Sequence, residues 1–500
     1  MAVDPPSPND RVDNDKEETT ETETQLTRLQ RRNILFLVLA FSCVVASVTV
    51  IVGTGAVVII SVGGSNTLAP FALGVFMLGQ SMISLFCTHW LFSKWGRKVG
   101  FHFGSGIALL GVGVGLFGIT QSSPTIVLLS EAMFGAGTGI LMYLRFAAVE
   151  VVPPSHGSRA VTWTLCGGCL AAFVGPQASH ASKGVFGDDH LTYLGVFVVS
   201  GCFYIGQIVF VSLIRFPTKN NAKEMKEVLT RSVSGKPSGK DDSIRQDDIE
   251  MGDNENDGTP RQETTERLDD SSNAKTTTSP VHHKSFRELR SLLLSHTFYL
   301  PLVVSIIAWT TMAMPMSIFR VAMNELGYKS QQSLTVIQIH FFAMYSPGFY
   351  TGGFLKRNGP IKGVQVALLS VVIATGISLS AQDNTTSIYT WYLGLIFLGI
   401  GWNFGYSSAT VWVTKTYQHV PVYKEQVQAA NECLTMLISG AAIFSTGYLY
   451  DAAGGGEGGT IKGWSVLNYT MLALSGLLVI VVLVARRLQQ NPEISNANKP

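Results

Sequence analysis

The chain of 500 residues is 46% hydrophobic and only 14% charged. Soluble domains carry about a quarter charged residues, so this composition excludes an ordinary soluble globular protein. The net charge of +2 argues against a nucleic-acid partner. The charges cluster in the N-terminal tail, a central segment and short loops. Roughly a dozen runs between them are long enough for the ~20 apolar residues of a membrane span.

Residues 1–32 are predicted to form a disordered cytoplasmic tail. The tail is acidic and threonine-rich, whereas a secretory signal peptide starts with basic residues and then becomes apolar. The first apolar run begins only after Arg28, Arg31 and Arg32. Basic residues beside a span favour the cytoplasmic side of the membrane, so we expect the tail on that side.

Apolar segments then alternate with short polar turns, in two sets of six. We expect an N-terminal six-helix bundle over residues 33–215 and a C-terminal one over residues 297–487, followed by a cytoplasmic tail over residues 488–500. The predicted spans are 33–61, 67–92, 101–121, 125–150, 159–179, 193–215, 297–320, 332–355, 361–381, 387–413, 427–449 and 464–485.

Lysine and arginine placement predicts the orientation of these spans. The turns after even-numbered spans and the C-terminal end hold most of these residues, namely Lys94, Arg97, Lys98, Arg159, Lys356, Arg357, Lys362, Lys415, Lys424, Arg486 and Arg487. This bias places both termini in the cytoplasm, in a plasma membrane or an organelle membrane. The turn that contains Asn384 then faces the opposite side, where its Asn-Thr-Thr sequence is a candidate glycosylation site.

The segment over residues 216–296 joins the two halves. Most of it is rich in charged residues, serine and threonine and nearly free of aromatic residues, which predicts a disordered cytoplasmic linker. Near its end, Phe286–Leu294 alternates apolar and basic residues, a pattern typical of a short helix on a membrane surface.

No cofactor or metal site is expected, and the chain is not predicted to be an enzyme. The six cysteines all fall inside apolar runs, where they behave as small buried hydrophobic residues and not as a disulfide framework. The nucleotide-binding pattern Gly-x-x-x-x-Gly-Lys-Ser/Thr does not occur in the sequence. If the chain moves a solute across the membrane against its gradient, an ion gradient is therefore the expected energy source.

A basic turn with a glycine occurs at the same place in each half. The first copy contains Lys94, Gly96, Arg97 and Lys98, and the second contains Gly352, Lys356, Arg357 and Gly359. Internal repeats of about six spans are typical of secondary transporters.

The twelve spans, the central linker and this basic turn together resemble the major facilitator superfamily, from about residue 33 to residue 487. The family loop reads Gly-x-x-x-Asp-Arg/Lys-x-Gly-Arg-Arg/Lys, and the chain departs from it at His89 and Ser93. The resemblance implies an all-α integral membrane fold, with twelve transmembrane helices in two pseudo-symmetric six-helix bundles. It also implies a cytoplasmic gate, for which the candidates are Lys94, Gly96, Arg97, Lys98, Lys356 and Arg357.

Three charged residues inside the spans are candidates for chemistry. Glu131 in span 4 is the preferred proton-coupling acid, and the alternative is a solvated acid near the outer headgroups. Arg145 is a candidate anchor for an anionic substrate or an inner gate, and the alternative is a side chain that snorkels to the interface. Glu432 in span 11 is expected to replace the missing gate aspartate by pairing with Arg97 or Lys98, unless it is simply a solvated acid.

Span 10 offers the most suggestive substrate contacts. Trp402 and Tyr406 supply flat faces and Asn403 supplies a donor and an acceptor, which would suit an aromatic or heterocyclic solute. His340 in span 8 is a further candidate substrate contact and a candidate proton relay. Ordinary helix packing is the alternative for all four residues.

The sequence therefore predicts a monomeric secondary active transporter of a small organic solute. Transport is expected to proceed by alternating access, as symport or antiport, with protons supplying the energy. Two alternatives stay open. One is a facilitator without ion coupling, and the other is a membrane sensor or scaffold that kept the fold and lost transport.

Overall fold

Fourteen α-helices and four short 3-10 helices form the part of the chain that this computed structural model describes. The described residues are 26–216 and 286–490, except 87, 154–155, 188, 381–386, 419 and 455–458. No strand occurs among them. The glycosylation candidate Asn384, nearly all of the N-terminal tail, most of the linker and the last ten residues lie outside the described part.

The α-helices are numbered in chain order. In the N-terminal half they are α1 (Arg28–Ser61), α2 (Phe71–Phe86), α3 (Thr88–Thr120), α4 (Pro124–Leu141), α5 (Leu144–Ala147), α6 (Gly157–Ser182) and α7 (Leu194–Leu213). In the C-terminal half they are α8 (Phe286–Leu293), α9 (His296–Glu325), α10 (Ser330–Tyr345), α11 (Gly348–Leu379), α12 (Ile388–Val413), α13 (Lys424–Ala452) and α14 (Thr460–Gln490). The 3-10 helices are Ala148–Val151, Asp189–Tyr193, Thr414–Tyr417 and Pro421–Tyr423.

Two kinks make the helix boundaries differ from the predicted spans. Gly96 interrupts α3 with a φ of 82°, and Gly359 interrupts α11 with a φ of 78°. Glycine has no Cβ and adopts such left-handed backbone without strain. The first turns of α3 therefore complete the span begun by α2, and the first turns of α11 complete the span begun by α10. The repeated basic turn of the sequence is a repeated structural feature.

With these kinks counted as boundaries, a helical segment lies at each of the twelve predicted spans. Eight helices in the described part are long and apolar enough to cross a membrane by length and composition. One of these, Ser330–Leu379, covers two predicted spans, and the shorter apolar helix Phe71–Ser84 adds another. The expected fold class, an all-α integral membrane protein of two six-helix bundles, is confirmed.

Glycines bring α2, α3 and α4 into close contact. A Cβ at Gly135 would lie 1.8 Å from the Phe76 carbonyl oxygen, and one at Gly137 would lie 2.6 Å from the Gly104 carbonyl oxygen. Only a residue without a side chain fits at such distances, and small residues are how helices pack tightly in a membrane. The glycine-rich stretch of α4 therefore serves close packing between helices.

The two halves meet along several helix pairs. Cβ atoms built at Gly440 of α13 and Gly168 of α6 would lie 3.1 Å from the Gly74 carbonyl oxygen and 2.5 Å from the Tyr345 ring. Because successive spans run in opposite directions, the bundle has two ends. We call them the Gly96 end, which includes Gly96 and Gly359, and the Glu325 end, which includes Asn66 and Glu325.

Candidate functional site

An ion pair joins the two halves near the Gly96 end. Arg145 of α5 donates from Nη2 to Glu432 Oε1 of α13 at 2.8 Å. The hydroxyl of Tyr406 on α12 donates to Glu432 Oε1 at 2.7 Å, and Arg145 Nη2 also donates to that hydroxyl at 3.1 Å. The two charged side chains are only 12% and 15% exposed. Arg145, Tyr406 and Glu432, which we call the Arg145 triad, therefore form one mutually bonded unit.

Three further aromatic rings cluster with the Tyr406 ring of this triad. Trp402 lies one helical turn from Tyr406 on the same face of α12, and the two rings stack with centroids 5.4 Å apart. Trp309 of α9 meets Trp402 edge-on at 5.2 Å, and Tyr345 of α10 meets Trp402 at 6.0 Å. We call Trp309, Tyr345, Trp402 and Tyr406 the aromatic box.

The box and the triad carry unused hydrogen-bond donors. The indole Nε1 atoms of Trp309 and Trp402 and the Nε atom of Arg145 are buried, and none has a partner among the described residues. A buried donor without a partner costs about 1–3 kcal/mol, so native structures rarely leave a buried donor without a hydrogen bond. Flat rings beside three free donors can hold a planar solute that has acceptor atoms at its edge.

Asn403 points its amide at the backbone break between α10 and α11. Its Nδ2 donates to the Met344 carbonyl oxygen at 2.7 Å, and its Oδ1 accepts from the Thr351 hydroxyl at 2.7 Å. The side chain was expected to contact substrate, but both of its polar atoms are already bonded to protein. In this conformation Asn403 holds the helix break in place.

His340 is fully buried between α10 and α12. Its Nδ1 lies 2.8 Å from the Leu395 carbonyl oxygen, which fixes Nδ1 as the donor. Nε2 has no partner within the described residues. Neither ring nitrogen is bonded to the Arg145 triad, so the structure does not bring His340 into that unit.

Glu131 is 1% exposed in the interior of the N-terminal half. Its Oε1 lies 3.6 Å from a Cβ built at Gly55 of α1, close to Ala72 of α2. Its Oε2 is buried without a partner in the described part of the chain. The alternative of a solvated acid near the headgroups is therefore wrong. Glu131 precedes Arg145 by fourteen residues, about 20 Å along a helix, so the two sites are separate.

Arg320 of α9 is a second buried cation, 4% exposed, that links the halves. Its Nη1 donates to the Gly53 carbonyl oxygen of α1 at 2.6 Å, and its Nη2 donates to the Ser330 hydroxyl at 2.8 Å. It lies against the α1 segment that also adjoins Glu131.

The basic loop at Gly96 bonds within its own half. Arg97 donates to Glu150 Oε1 from Nε at 3.0 Å and from Nη2 at 2.6 Å, and Lys98 Nζ donates to the Ser212 carbonyl oxygen at 2.7 Å. Lys94 lies 5.0 Å from the centre of the Trp90 ring. The expected partners of Glu432, Arg97 or Lys98, are therefore replaced by Arg145 in this conformation.

The remaining gate candidates are less constrained. Lys356 and Arg357 are exposed on the second-half turn. The side chains of His89 and Ser93, where the loop departs from the family pattern, lie outside the described part of the structure.

A different set of contacts joins the halves at the Glu325 end. Asn66 Nδ2 donates to Glu325 Oε1 at 2.9 Å, and the Thr67 hydroxyl donates to Asp451. Thr460 and Tyr450 also donate to Glu325 Oε2. These contacts were not predicted, because short polar residues in a turn give no sequence signal for a partner in the other half.

Trp309 and Tyr345 were also missed as site residues. Trp309 lies on span 7 and Tyr345 ends α10, and no local sequence pattern marks either residue. Among the residues that the structure describes, no group of three histidine, cysteine or acidic side chains could hold a metal ion.

Comparison with known proteins gives consistent results. The family model for the Major Facilitator Superfamily matches residues 35–432. The chain is 23% identical over 457 residues to the "Riboflavin transporter RfnT" of Brucella anthropi, which covers 91% of this chain and 96% of the relative. It is also 23% identical over 443 residues to the "Uncharacterized MFS-type transporter YddS" of Bacillus subtilis, with 85% of each chain covered.

Solved structures with a similar fold include the nucleoside transporter NupG, with a TM-score of 0.58 and 11% identity over 93% of this chain and 100% of that chain. The fucose:proton symporter FucP of E. coli has a TM-score of 0.53 and 14% identity over 91% and 99% of the two chains. At these identities the likeness shows the fold alone.

Proposed function

Because the chain belongs to the Major Facilitator Superfamily, we propose that it carries a planar heterocyclic solute of the flavin type across a membrane by alternating access. The family establishes a multi-pass membrane transporter. The choice of solute class rests on the aromatic box, its unused donors and the riboflavin transporter among the relatives.

The aromatic box beside Arg145 is the observation that carries this proposal. A flavin has a flat fused ring with two carbonyl oxygens at one edge. Aromatic faces stack on such a ring, and the indole N–H groups of Trp309 and Trp402 and the Arg145 Nε can donate to its edge. Arg145 thereby supplies a direct connection between solute and gate, because the same guanidinium bonds to Glu432.

This connection gives alternating access a physical route. While the Arg145 triad is intact it holds the halves together at the Gly96 end. A solute that accepts a hydrogen bond from Arg145 Nε pulls the guanidinium toward the box, and this weakens the bond from Nη2 to Glu432 and with it the contact between the halves. A ligand shifts a conformational equilibrium only through such a difference in contacts between the two states.

Protons are the proposed energy source, with Glu131 as the carrier. Ionisable side chains inside a membrane are rare and commonly mark proton or ion pathways. Glu131 forms no ion pair within the described residues, and its Oε2 is free. The basic residues favour both termini in the cytoplasm, which makes the Gly96 end the cytoplasmic gate. The proposed transporter acts as a monomer.

Uptake by the full chain in liposomes tests the solute. We expect riboflavin to enter vesicles that contain the protein, and Trp402→Phe to raise the riboflavin KM roughly five- to tenfold by removing one donor. Trp391→Phe is the matched control on the same helix, because its indole donates to the Tyr328 hydroxyl at 3.2 Å, away from the box. Absence of riboflavin uptake by folded protein, or equal effects of the two variants, contradicts the proposal.

An imposed pH gradient tests the coupling. We expect riboflavin to accumulate against its gradient only while protons flow, and Glu131→Gln to abolish accumulation while leaving riboflavin exchange intact. Glu131→Asp keeps a carboxyl group and should keep part of the coupling. Accumulation of riboflavin by Glu131→Gln would show that Glu131 is not the proton carrier. Transport that does not respond to the pH gradient would identify a facilitator.

A further inference from the structure

The short helix α8 is attached to the C-terminal half through one face only. Leu292 on that face is 7% exposed and packs in a cluster with Phe298 and Tyr423. Glu288 on the same face accepts a hydrogen bond from the Tyr423 hydroxyl at 2.9 Å. The helix is thus fixed in position at the Gly96 end, and its other face is held in a defined orientation.

The other face of α8 lines a cavity of about 500 Å³. Arg287, Arg290, Ser291 and Leu294 recur at the spacing that places residues on one helical face. Together with the first turn of α9 they form the wall, and the full lining is Arg287, Arg290, Ser291, Leu294, Ser295, His296 and Tyr299. The cavity is therefore built from two elements whose relative position is fixed by the packed face of α8.

The cavity has an excess of positive charge. Arg287 and Arg290 are exposed, and neither forms an ion pair with a carboxylate in the described part of the chain. The nearest acid in sequence, Glu288, lies on the packed face and is bonded to Tyr423. The N-terminal end of α9 adds positive partial charge and free N–H groups to the same space. His296 adds a buried Nδ1 without a partner among the described residues.

Large apolar side chains border this positive cavity. Phe286 is 80% exposed and Leu294 is 68% exposed, and Tyr299 on the first turn of α9 is 44% exposed. Because α9 is a membrane-spanning helix, its first turn lies where the chain enters the bilayer. Exposed apolar groups there can contact acyl chains, while the arginines lie at the level of the headgroups.

We propose that this cavity binds the phosphodiester headgroup of an anionic phospholipid. Two arginines and a helix N-terminus are suited to a phosphate group, and the bordering apolar residues are suited to the attached acyl chains. The site lies apart from the aromatic box and shares no residue with the Arg145 triad. It therefore does not depend on which solute the protein carries.

Lipid selectivity of the full chain in nanodiscs tests this site. The discs contain phosphatidylcholine with a minor fraction of phosphatidylglycerol, and the lipid that stays bound after extraction is measured. We expect phosphatidylglycerol to be enriched on the unmodified protein. The double variant R287Q/R290Q should lower that enrichment about tenfold or more, because it removes both charged donors that line the cavity and would bond to the phosphate.

The matched control is R486Q/R487Q, which also removes two exposed arginines, at the end of α14 on the same side of the bilayer. It should leave the enrichment unchanged, and R287K/R290K should keep most of it. Equal losses of phosphatidylglycerol enrichment in the two glutamine variants would mean that general surface charge attracts the lipid, and this would overturn the site. Full enrichment on R287Q/R290Q would also overturn it.

A second measurement separates a lipid site from a site for free anions and also guards against misfolding. Each variant is checked for a single folded species by gel filtration and for riboflavin uptake. Thermal unfolding in detergent is then followed with phosphatidylglycerol or with inorganic phosphate added. Stabilisation by the lipid alone supports the proposal, and equal stabilisation by inorganic phosphate assigns the cavity to a free anion and overturns it.

Discussion

The two ends of the molecule hold the halves together with different chemistry. At the Gly96 end, opposite charges on Arg145 and Glu432 meet at 2.8 Å with both side chains largely buried. At the Glu325 end, the neutral donors Asn66 and Thr67 bond to carboxylates, and Glu325 is exposed to solvent. The buried Arg320, five residues before Glu325, also bonds across the halves, but to the Gly53 carbonyl oxygen and not to an opposite charge. Removing one partner of a buried charge pair costs more than removing one exposed hydrogen bond.

The two ends also differ in their connection to the aromatic box. Tyr406 belongs to both the box and the Arg145 triad, so a solute in the box contacts the link itself. No box residue takes part in the contacts of Asn66, Thr67, Glu325 or Asp451. If the box holds the solute as proposed, solute binding acts directly on the ion pair at the Gly96 end, and the Asn66 and Thr67 contacts at the other end set the balance between states.

Glu432→Gln should give the largest change. It removes the charge that Arg145 pairs with, which we expect to cost the closed Gly96 end about 2 kcal/mol, or a shift of about 30-fold toward the open state. The native Cys433 reports this shift. It is buried, and its Sγ lies 3.3 Å from the Ser81 hydroxyl of α2 in the other half. Faster labelling of Cys433, in protein whose other cysteines are replaced, is the expected result.

Glu288→Gln is the control for this experiment. It makes the same substitution at the same end, but the Glu288 bond in the described part of the chain is to Tyr423 of its own half. Riboflavin binding should persist in Glu432→Gln, since the rings of the box are unchanged. Unchanged labelling together with unchanged uptake would refute the role of Glu432 in closing this end.

The architecture was predictable from the sequence because each span carries its own signal. Length and apolar composition define a span locally. The glycines at positions 96 and 359 mark the turns in the sequence, and in the structure both have the positive φ of a kink. The boundaries moved by several residues because α3 and α11 continue through these kinks.

The site was predictable only in part, because its contacts join residues far apart in the chain. Arg145 and Glu432 were each singled out, but their pairing spans 287 residues and depends on how the halves meet. Asn403 was expected to face a substrate because its residue type suits one. The break between α10 and α11 uses its amide instead, and the need for such a partner appears only once the backbone is in place.

Tyr406→Phe should give an intermediate change. The substitution removes the hydroxyl that bonds to Arg145 and Glu432 and keeps the ring that stacks on Trp402. Loss of this hydroxyl, which bonds to both charged side chains, is expected to cost about 1 kcal/mol net, or roughly a fivefold rise in Cys433 labelling. The riboflavin Kd should stay within about twofold of the unmodified protein. A fold rise in the riboflavin Kd larger than the fold rise in Cys433 labelling would show that the hydroxyl contributes more to solute binding than to closing the Gly96 end.

Asn66→Ala should give the smallest change, and in the opposite direction. It removes the Asn66 donor to Glu325, an exposed hydrogen bond for which we expect about 0.5 kcal/mol, or roughly a twofold shift toward the state open at the Glu325 end. The effect is best measured in the Glu432→Gln background, where it should lower the raised Cys433 labelling about twofold. The two sites lie at opposite ends of the bundle, so their effects should add. A decrease much larger than twofold would mean that the Glu325 end is as strong a link as the Gly96 end, and the asymmetry between the two ends would then be wrong.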